Sequence, residues 1–246
     1  MSDKIALQLY SVRDEVAKSG YETAIRQVAE MGYRAVETAG FPGTTAEAAA
    51  KLFKDLGLTI VAAHTGLPLG DKRNEIIESL EALGKPRLVC TQIGRDDVKT
   101  LDTVKALCDR LNEGYAVTKD SGIPFGIHNH WWEFGEVDGR LVHHVMLELL
   151  NPGIFFEVDT YWVKVGGSDP IEVVRNLGDR APLLHIKDGP ANREEPMTAV
   201  GDGVMDIPAM LKAAGAKDKW LIVELDRCGT DMLEAVKKSY DYLAKL

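Results

Sequence analysis

The chain has 246 residues, of which 45% are hydrophobic and 27% charged, and this length is compatible with one large domain or two small ones. Lys and Arg total 29 against 38 Asp and Glu, which gives a formal net charge of −9. This acidic balance argues against proteins that bind mainly nucleic-acid backbones or anionic lipids, because both need clustered cations.

The three cysteines predict reduced thiols in the cytoplasm. They are Cys90, Cys108 and Cys228, and their odd number and wide spacing do not suit a disulfide framework. The N-terminal sequence lacks the long apolar run of a secretory signal. No apolar stretch approaches the ~20 residues that cross a bilayer. We therefore expect a soluble, cytoplasmic protein with no membrane partner.

Short apolar runs alternate with helical patterns along the whole chain. Eight runs rich in Val, Ile and Leu predict buried strands, since strands that are covered on both faces lose the polar alternation. The predicted strands begin at Ile5, Ala35, Thr59, Arg87, Pro124, Ile154, Ala181 and Trp220. Between them apolar residues recur at helical spacing, as at Ile76, Leu80 and Leu83, and a final helix is predicted over 231–246.

Eight strand–helix units in about 250 residues match the size and rhythm of a (β/α)8 TIM barrel. We predict a single α/β domain of this kind over residues 1–246, since no linker or change of composition divides the chain. An open doubly wound sheet is the alternative. Its glycine-rich first turn is missing, because the segment after the first strand reads LYSVRDEVAKSG.

Ionisable residues collect at the ends of the last four predicted strands. At each end, two of them are spaced by two residues and therefore lie on the same side of the strand. The four ends read His128-Asn129-His130, Glu157-Val158-Asp159, His185-Ile186-Lys187 and Glu224-Leu225-Asp226. The first four strands add Gln8, Glu37, His64 and Gln92 at corresponding places. In a barrel these strand ends meet at one mouth, where functional residues gather.

This donor set predicts a metal site. Many carboxylates and imidazoles in one pocket incur a desolvation cost unless a cation offsets it. Carboxylate oxygen and imidazole nitrogen are ligands of Mn²⁺, Zn²⁺, Co²⁺ or Mg²⁺ and do not form a soft thiolate site. We therefore predict one divalent metal ion at the barrel mouth.

Each of these residues also has a purely structural interpretation. Asp226 and Asp188 could cap the turns that follow them, and Glu37 could pair with Arg34 or Lys51. For a single His or Glu at a strand end, a surface or loop role is the commoner case. The same pattern at four consecutive strands favours a functional site.

Three tryptophans, Trp131, Trp132 and Trp162, follow the fifth and sixth strands. Their rings would either stack on the C–H faces of a sugar or pack a loop over the mouth. Two other chemistries have weaker support. No nucleophile motif accompanies Cys228, and acidic neighbours favour an ion pair or substrate contact for Lys187 over a Schiff base.

The sequence resembles the xylose isomerase-like TIM barrel superfamily, the sugar phosphate isomerase/epimerase group, over essentially its whole length. The resemblance rests on the segments IALQLYSVRDE, HNHWWEF, FEVDTYWV, LLHIKD, VGDGVMDI and VELD. These motifs point to the fold group and not to a substrate, because the fold hosts many sugar reactions.

The resemblance implies one divalent metal held by side chains from strands five to eight. By motif, Asp159, His185 and Glu224 match the last three ligand positions. At the first position many family members have a Glu, whereas this chain has His128 there and its next acid at Glu133. Glu133 is the predicted fourth ligand and His128 is the alternative.

The same resemblance implies proton abstraction next to the carbonyl of a keto-sugar or sugar derivative. The metal would act as a Lewis acid and stabilise an enediolate. Glu224 is expected to be one acid/base, with Glu133 or His128 acting on the opposite face. The side chains expected to orient substrate hydroxyls are Gln8, His64, His130 and Lys187.

Two other functions stay open at this stage. A metal-dependent lyase or dehydratase of a 3-keto-sugar or keto-glycoside would use the same site, and it follows if strand five offers only imidazole as the second base. The second of these functions is that of a non-catalytic sugar-binding partner subunit. Cleavage of abasic DNA is disfavoured by the net charge of −9, and no nucleic-acid partner is expected. Assembly into a homo-oligomer is left open.

Overall fold

A computed structural model describes residues 4–246. Within that range eight parallel strands close into a barrel, each paired with its neighbour along the chain and the first paired with the last. The strands are β1 Ile5–Gln8, β2 Ala35–Thr38, β3 Thr59–Thr65, β4 Arg87–Cys90, β5 Phe125–His128, β6 Phe155–Asp159, β7 Leu183–Ile186 and β8 Trp220–Val223.

The closed barrel confirms the predicted (β/α)8 fold. Pairing of Ile5 in β1 with Leu221 in β8 excludes the open sheet, in which the first and last strands would not meet. The prediction that the domain spans residues 1–246 includes residues 1–3, which lie outside the described range.

Helices surround the barrel. They are α1 Arg13–Ser19, α2 Tyr21–Glu30, α3 Ala46–Asp55, α4 Arg73–Ala82, α5 Leu101–Asp120, α6 Val142–Leu149, α7 Thr160–Val165, α8 Pro170–Leu177, α9 Ile207–Ala214 and α10 Met232–Leu243. A small hairpin of Glu136–Val137 and Arg140–Leu141 precedes α6. The last helix is shorter than the predicted 231–246. It begins at Met232 because Asp231 caps it by accepting a hydrogen bond from the Glu234 N–H, and it ends at Leu243.

Two apolar clusters fill the space on either side of the strands. Strand residues such as Leu7, Leu88 and Ile186 pack outward against the helices in the larger cluster. A different set of strand residues forms the smaller cluster inside the barrel: Ala6, Ala35, Val61, Ala62, Val89, Leu183 and Ile222. The next inward positions toward the carboxyl ends are polar, so the apolar filling stops there and the site begins.

Gly126 in β5 shows how closely the inner layer packs. A Cβ atom at this position would lie 2.2 Å from Cε2 of Phe155 in the neighbouring strand β6. The glycine therefore leaves room for the Phe155 ring next to the small apolar cluster. This packing fixes the level at which His128, two residues further along β5, enters the barrel.

A buried carboxylate holds the long segment between β7 and α9. Asp188 accepts hydrogen bonds from the backbone N–H groups of Gly189, Gly201 and Met205 at 2.8, 2.9 and 3.1 Å. Gly203 lies directly against it, and a Cβ there would be 2.1 Å from Asp188 Oδ1. Asp188 thus has the turn-forming role that the sequence allowed for it, extended over a much longer segment.

Within residues 4–246, we find no helix that is both long and apolar enough to cross a membrane.

The three cysteines carry free thiols, as predicted. Burial raises the pKa of Cys90 to about 11 and that of Cys108 to about 12. Both thiols are therefore protonated and unreactive at neutral pH.

Candidate active site

The carboxyl ends of the strands surround an open cavity of about 490 Å³. This volume falls in the ordinary range of small-molecule sites. Five predicted site residues line it: His64, His128, His130, Lys187 and Glu224. Gln92, Trp162 and Asp226 line it as well.

Four buried side chains from the last four strands or their ends converge beside this cavity. Nitrogen or oxygen atoms of His128, Asp159, His185 and Glu224 all lie within 4.8 Å of one another, and we call this set the Asp159 cluster. His185 Nδ1 lies 2.8 Å from Glu224 Oε2, and His128 Nε2 lies 3.9 Å from Asp159 Oδ2. Two carboxylates and two imidazoles at this spacing form a donor set suited to a divalent cation.

Glu133 is not part of the Asp159 cluster. It lies in a helical turn over Trp132–Phe134, where its carboxylate accepts a hydrogen bond of 3.0 Å from the His130 backbone N–H. Burial raises its pKa. Of the two residues considered for the strand-five position, the structure brings His128, and not Glu133, next to Asp159, His185 and Glu224.

A second group of side chains adjoins the first. It consists of His64, His128, Glu157 and His185, again with ligand-type atoms within 4.8 Å of one another, and we call it the Glu157 cluster. Glu157 Oε2 lies 2.6 Å from His64 Nε2, 3.1 Å from His185 Nε2 and 3.2 Å from His128 Nδ1. The two clusters share His128 and His185.

Glu37 borders the Glu157 cluster. Its Oε2 lies 2.7 Å from His185 Nε2 and 3.1 Å from His64 Nε2. The hypothesis that Glu37 pairs with Arg34 or Lys51 is wrong, because Glu37 is fully buried inside the barrel whereas the other two side chains make their contacts elsewhere.

Gln8 lies behind Glu37 and does not line the cavity. Its amide Nε2 donates a 2.8 Å hydrogen bond to Glu37 Oε2, and its Oε1 accepts one of 3.0 Å from the Tyr10 N–H. Both ends of the Gln8 amide are therefore used within the protein. The predicted contact between Gln8 and a substrate hydroxyl stays a prediction.

Lys187 is a buried cation among carboxylates. Its Nζ lies 2.9 Å from Asp159 Oδ2, 2.7 Å from Glu224 Oε2 and 2.7 Å from Asp226 Oδ2. Burial alone lowers the pKa of Lys187, but the three carboxylates together raise it well above its ordinary value. The ammonium group therefore stays charged and offsets part of the negative charge of the Asp159 cluster.

Burial and the neighbouring charges also shift the pKa values of the four side chains in the Asp159 cluster, and the two effects often oppose each other. Burial raises the pKa of Asp159. In Glu224 the effect of burial is outweighed by the neighbouring cations, which hold the pKa well below its usual range. Burial lowers the pKa of His128, whereas the surrounding carboxylates overcome burial and raise that of His185 well above the ordinary value. Such opposed shifts within one cleft are typical of functional sites.

The tryptophans divide between the two predicted roles. Trp162 lines the cavity, with Lys187 Nζ 5.3 Å from the centre of its ring. Trp132 stacks on His130 with ring centres 4.1 Å apart, and Trp131 contacts both other tryptophans. Trp162 is therefore available to a ligand, while Trp131 and Trp132 pack the loop beside it.

We compared the chain with models of known protein families. A family model described as xylose isomerase-like TIM barrel matches residues 25–246. The chain belongs to the xylose isomerase-like TIM barrel family. This confirms the family that the sequence motifs indicated. A comparison with curated proteins gave no significant match.

Solved structures agree with the family. A sugar phosphate isomerase/epimerase from Parabacteroides distasonis ATCC 8503 is 28% identical, with a TM-score of 0.83 over 98% of each chain. A second from the same organism is 27% identical, with a TM-score of 0.81 over 99% of this chain and 94% of the other. A probable 3-DHS dehydratase from Bacillus anthracis has a TM-score of 0.77 over 98% of each chain, and at 14% identity it shares the fold alone.

Glu157 and Glu37 are buried in this site. The sequence indicated both at the barrel mouth but assigned neither a role as ligand, base or substrate contact. Glu157 precedes Asp159 by two residues and therefore points into the barrel on the same strand face. Glu37 is the second-last residue of β2, at the level of the other polar strand ends. These spacings were visible in the sequence, but which strands face one another across the barrel was not.

Proposed function

We propose that the protein is a divalent-metal-dependent sugar isomerase or epimerase that acts on a keto-sugar or a sugar derivative. One observation carries the proposal. The Asp159 cluster places two carboxylates and two imidazoles beside a cavity of about 490 Å³ at the mouth of a xylose isomerase-like barrel. The Parabacteroides structures, which are described as sugar phosphate isomerases/epimerases, support this reaction class.

The residues fit a divalent cation. Asp159 Oδ2 is fully buried and has no hydrogen-bond partner among the described residues; its 2.9 Å contact with Lys187 Nζ is an ion pair without hydrogen-bond geometry. Lys187 shares its single charge among Asp159, Glu224 and Asp226, so a bound cation would further stabilise this buried oxygen. Asp159, His185, Glu224 and His128 would hold the ion, with Glu133 as the alternative to His128. When bound, a divalent ion supplies Lewis-acid polarisation of a substrate carbonyl.

Glu224 is suited to move the substrate proton. It lines the cavity, and its contacts with His185 and Lys187 both use Oε2, so Oε1 is left to face a substrate. Lys187 and His185 hold the pKa of Glu224 low against the effect of burial, so this carboxylate is ionised and able to accept a proton at neutral pH.

The second proton carrier would be an imidazole. His64, His128 and His130 line the cavity, whereas Glu133 does not. Epimerisation at one carbon needs a base on each face of the substrate, and aldose–ketose isomerisation moves a proton between neighbouring carbons. Lys187 and His130, also in the cavity wall, would bind and orient the sugar hydroxyls.

A lyase or dehydratase acting on a 3-keto-sugar or keto-glycoside is the second candidate. It is favoured by the same absence of Glu133 from the cavity wall. With Glu224 as the carboxylate base and imidazole as the acid, abstraction of a proton next to the carbonyl would be followed by loss of a β-hydroxyl or an aglycone.

Deuterium exchange tests the proposal. Protein loaded with Mn²⁺, Zn²⁺ or Co²⁺ is incubated in D₂O with a panel of ketoses and 3-keto-sugars, and mass spectrometry follows both deuterium uptake and loss of water or aglycone. We expect uptake next to the carbonyl, with a rate reduced about 10²- to 10⁴-fold in Glu224→Gln. Elimination products would select the second candidate.

The matched control is Glu148→Gln, which alters an exposed carboxylate paired with Arg140 and should leave the rate unchanged. Metal content is measured on every sample, so loss of the ion is separated from loss of the base. A metal-loaded protein that exchanges no substrate hydrogen across the panel would contradict both candidates.

A further inference from the structure

We propose that the substrate is an unphosphorylated keto-sugar that carries an apolar aglycone, and that the aglycone binds in a second cavity beside the first. This inference rests on the proposed function, because it names the substrate class of the same site. We call the cavity of about 490 Å³ at the barrel mouth the main cavity and the second one, of about 290 Å³, the side cavity.

The two cavities adjoin at the carboxyl ends of β2 and β3. Gly40, His64 and Thr65 line both of them. At Gly40 the shared wall has no side chain, and a Cβ atom there would have no heavy atom of a non-adjacent residue within 4 Å. A ligand that contacts His64 in the main cavity can therefore extend into the side cavity.

The side cavity has a largely apolar wall. The apolar side chains that line it come from α4, from β3 and from the loop after β2, and they are Phe41, Ala63, Ile76, Leu80 and Leu83. Phe41 and Ile76 are half-buried. A ligand in the cavity would remove their exposed surface from water, and this burial favours an apolar group.

Neither cavity offers a free cation to a phosphate group. Among the described residues, no Lys or Arg lines the side cavity, and its carboxylate, Glu75, lies 2.6 Å from Lys72 Nζ. Lys187 is the one Lys or Arg in the described wall of the main cavity, and three carboxylates surround it. Proteins commonly bind phosphate through Arg or Lys side chains, so these walls favour an uncharged ligand.

Backbone N–H groups after β7 are also unavailable to a phosphate. TIM barrels frequently bind phosphate with the loops after strands seven and eight and the N-terminus of a short helix. Here the N–H groups of Gly189, Gly201 and Met205 donate to the carboxylate of Asp188. The protein's own carboxylate thus takes donors that a phosphate would need, and we expect this chain not to select a sugar phosphate.

Calorimetric titration with three sugars tests both parts of the proposal. The probes are phenyl β-D-glucopyranoside, methyl β-D-glucopyranoside and the 6-phosphate of the methyl glucoside, which lack a carbonyl group and therefore do not react. Each is titrated into the Zn²⁺-loaded and the metal-free protein. The phenyl glucoside should bind at least about tenfold more tightly than the methyl glucoside. The 6-phosphate should bind at least about tenfold more weakly, because it meets carboxylates without a free cation.

Filling the side cavity should remove the preference for the phenyl group. In Ile76→Trp the larger side chain takes up the cavity, and the phenyl and methyl glucosides should bind within about twofold of each other. Ser79→Leu, a smaller change in the same wall, should also lower the preference. Glu78→Trp places the same new side chain at an exposed position of α4 outside the cavity wall and should keep it. Circular dichroism confirms that each variant is folded.

Equal affinity of the wild-type chain for the phenyl and methyl glucosides would overturn the aglycone site, as would a full preference in folded Ile76→Trp. Tighter binding of the 6-phosphate by the metal-free protein, where no ion can coordinate it, would overturn the exclusion of phosphate. Failure of the proposed function looks different: the metal-loaded protein would exchange no substrate hydrogen in D₂O, whatever its preference among the glucosides.

Discussion

Lys187 places a fixed positive charge where a metal ion would also be attracted. Its ammonium group contacts Asp159 and Glu224, which belong to the Asp159 cluster, and Asp226, which does not. A divalent ion would compete with Lys187 for the carboxylates of Asp159 and Glu224. Lys187 would then keep only its ion pair with Asp226. We therefore expect Lys187 to stabilise the metal-free protein and to weaken metal binding.

Substitution of Lys187 by Met should separate these two effects. Without metal, Lys187→Met leaves three carboxylates near one another with no ammonium, and we expect the free energy of unfolding to fall by about 3–5 kcal/mol. With Zn²⁺ the loss should be smaller, because the ion takes over the compensating charge. Urea unfolding with and without chelator measures both values. Lys238→Met, at an exposed pair with Asp202, should cost under about 1 kcal/mol. Equal losses with and without Zn²⁺ would contradict this account.

At the scale of elements, the segment from β7 to α9 depends on one side chain. Asp188 binds three backbone N–H groups, which lie 1, 13 and 17 residues after it in sequence. The segment follows directly from Lys187, so its order and the position of that ammonium group are linked. Loops in this position carry function on many barrels because the strands beneath them are rigid.

Removal of the Asp188 carboxylate should therefore destabilise the protein markedly. Asp188→Ala leaves three N–H groups without their acceptor, and those of Gly189 and Met205 are buried. At about 1–3 kcal/mol for each buried unpaired group we expect a loss of at least about 2 kcal/mol. Asp202→Ala, at an exposed carboxylate in the same segment, is the control and should change stability by under about 1 kcal/mol. Urea denaturation monitored by tryptophan fluorescence gives both values, and similar losses in the two variants would show that Asp188 does not hold the segment.

For the whole molecule, His143 makes folding sensitive to acid. This residue of α6 packs on Phe134, with ring centres 4.7 Å apart. Burial, aided by the charge of His144, lowers the pKa of His143 from 6.5 to about 4. Above pH 6.5 the ring is neutral in both folded and unfolded chains. As the pH falls from 6.5 towards 4 the unfolded chain takes up a proton first, so stability is lost across that window.

Replacement of His143 should flatten this part of the stability profile. In His143→Gln the free energy of unfolding should fall less between pH 6.5 and pH 4 than in the wild-type chain, because one group no longer protonates on unfolding. Urea unfolding at intervals across this range provides the measurement, with His144→Gln as the matched exposed control. A wild-type slope retained in His143→Gln would assign the acid sensitivity to other groups.

The barrel and most of the residues of the site could be predicted from the sequence. Apolar runs are enough to locate eight buried strands, because a parallel barrel covers both faces of each. The spacing of Glu157 and Asp159 by two residues also shows that both side chains share a strand face. By the same spacing of two residues, His185 shares a strand face with Lys187, and Glu224 shares one with Asp226.

Contacts across the barrel lay beyond sequence reasoning. Whether His128 or Glu133 lies beside Asp159 depends on the turn that carries Glu133 back to the His130 N–H. That Glu37 of β2 meets His185 of β7 depends on barrel closure, which brings strands together that are distant in sequence. The periodicity of the sequence describes one strand at a time. It therefore does not show which side chain lies beside Asp159 or that Glu37 meets His185.

The pairing of β1 with β8 has a consequence for how the protein is made. Ile5 and Leu221 are neighbours in the sheet, although nearly the whole described chain separates them. Such a contact closes a very long loop, and contacts of this kind form late and slow folding. During synthesis one edge of β1 stays without its strand partner until β8 leaves the ribosome. The nascent barrel thus exposes an open sheet edge, which is a site of association with other chains.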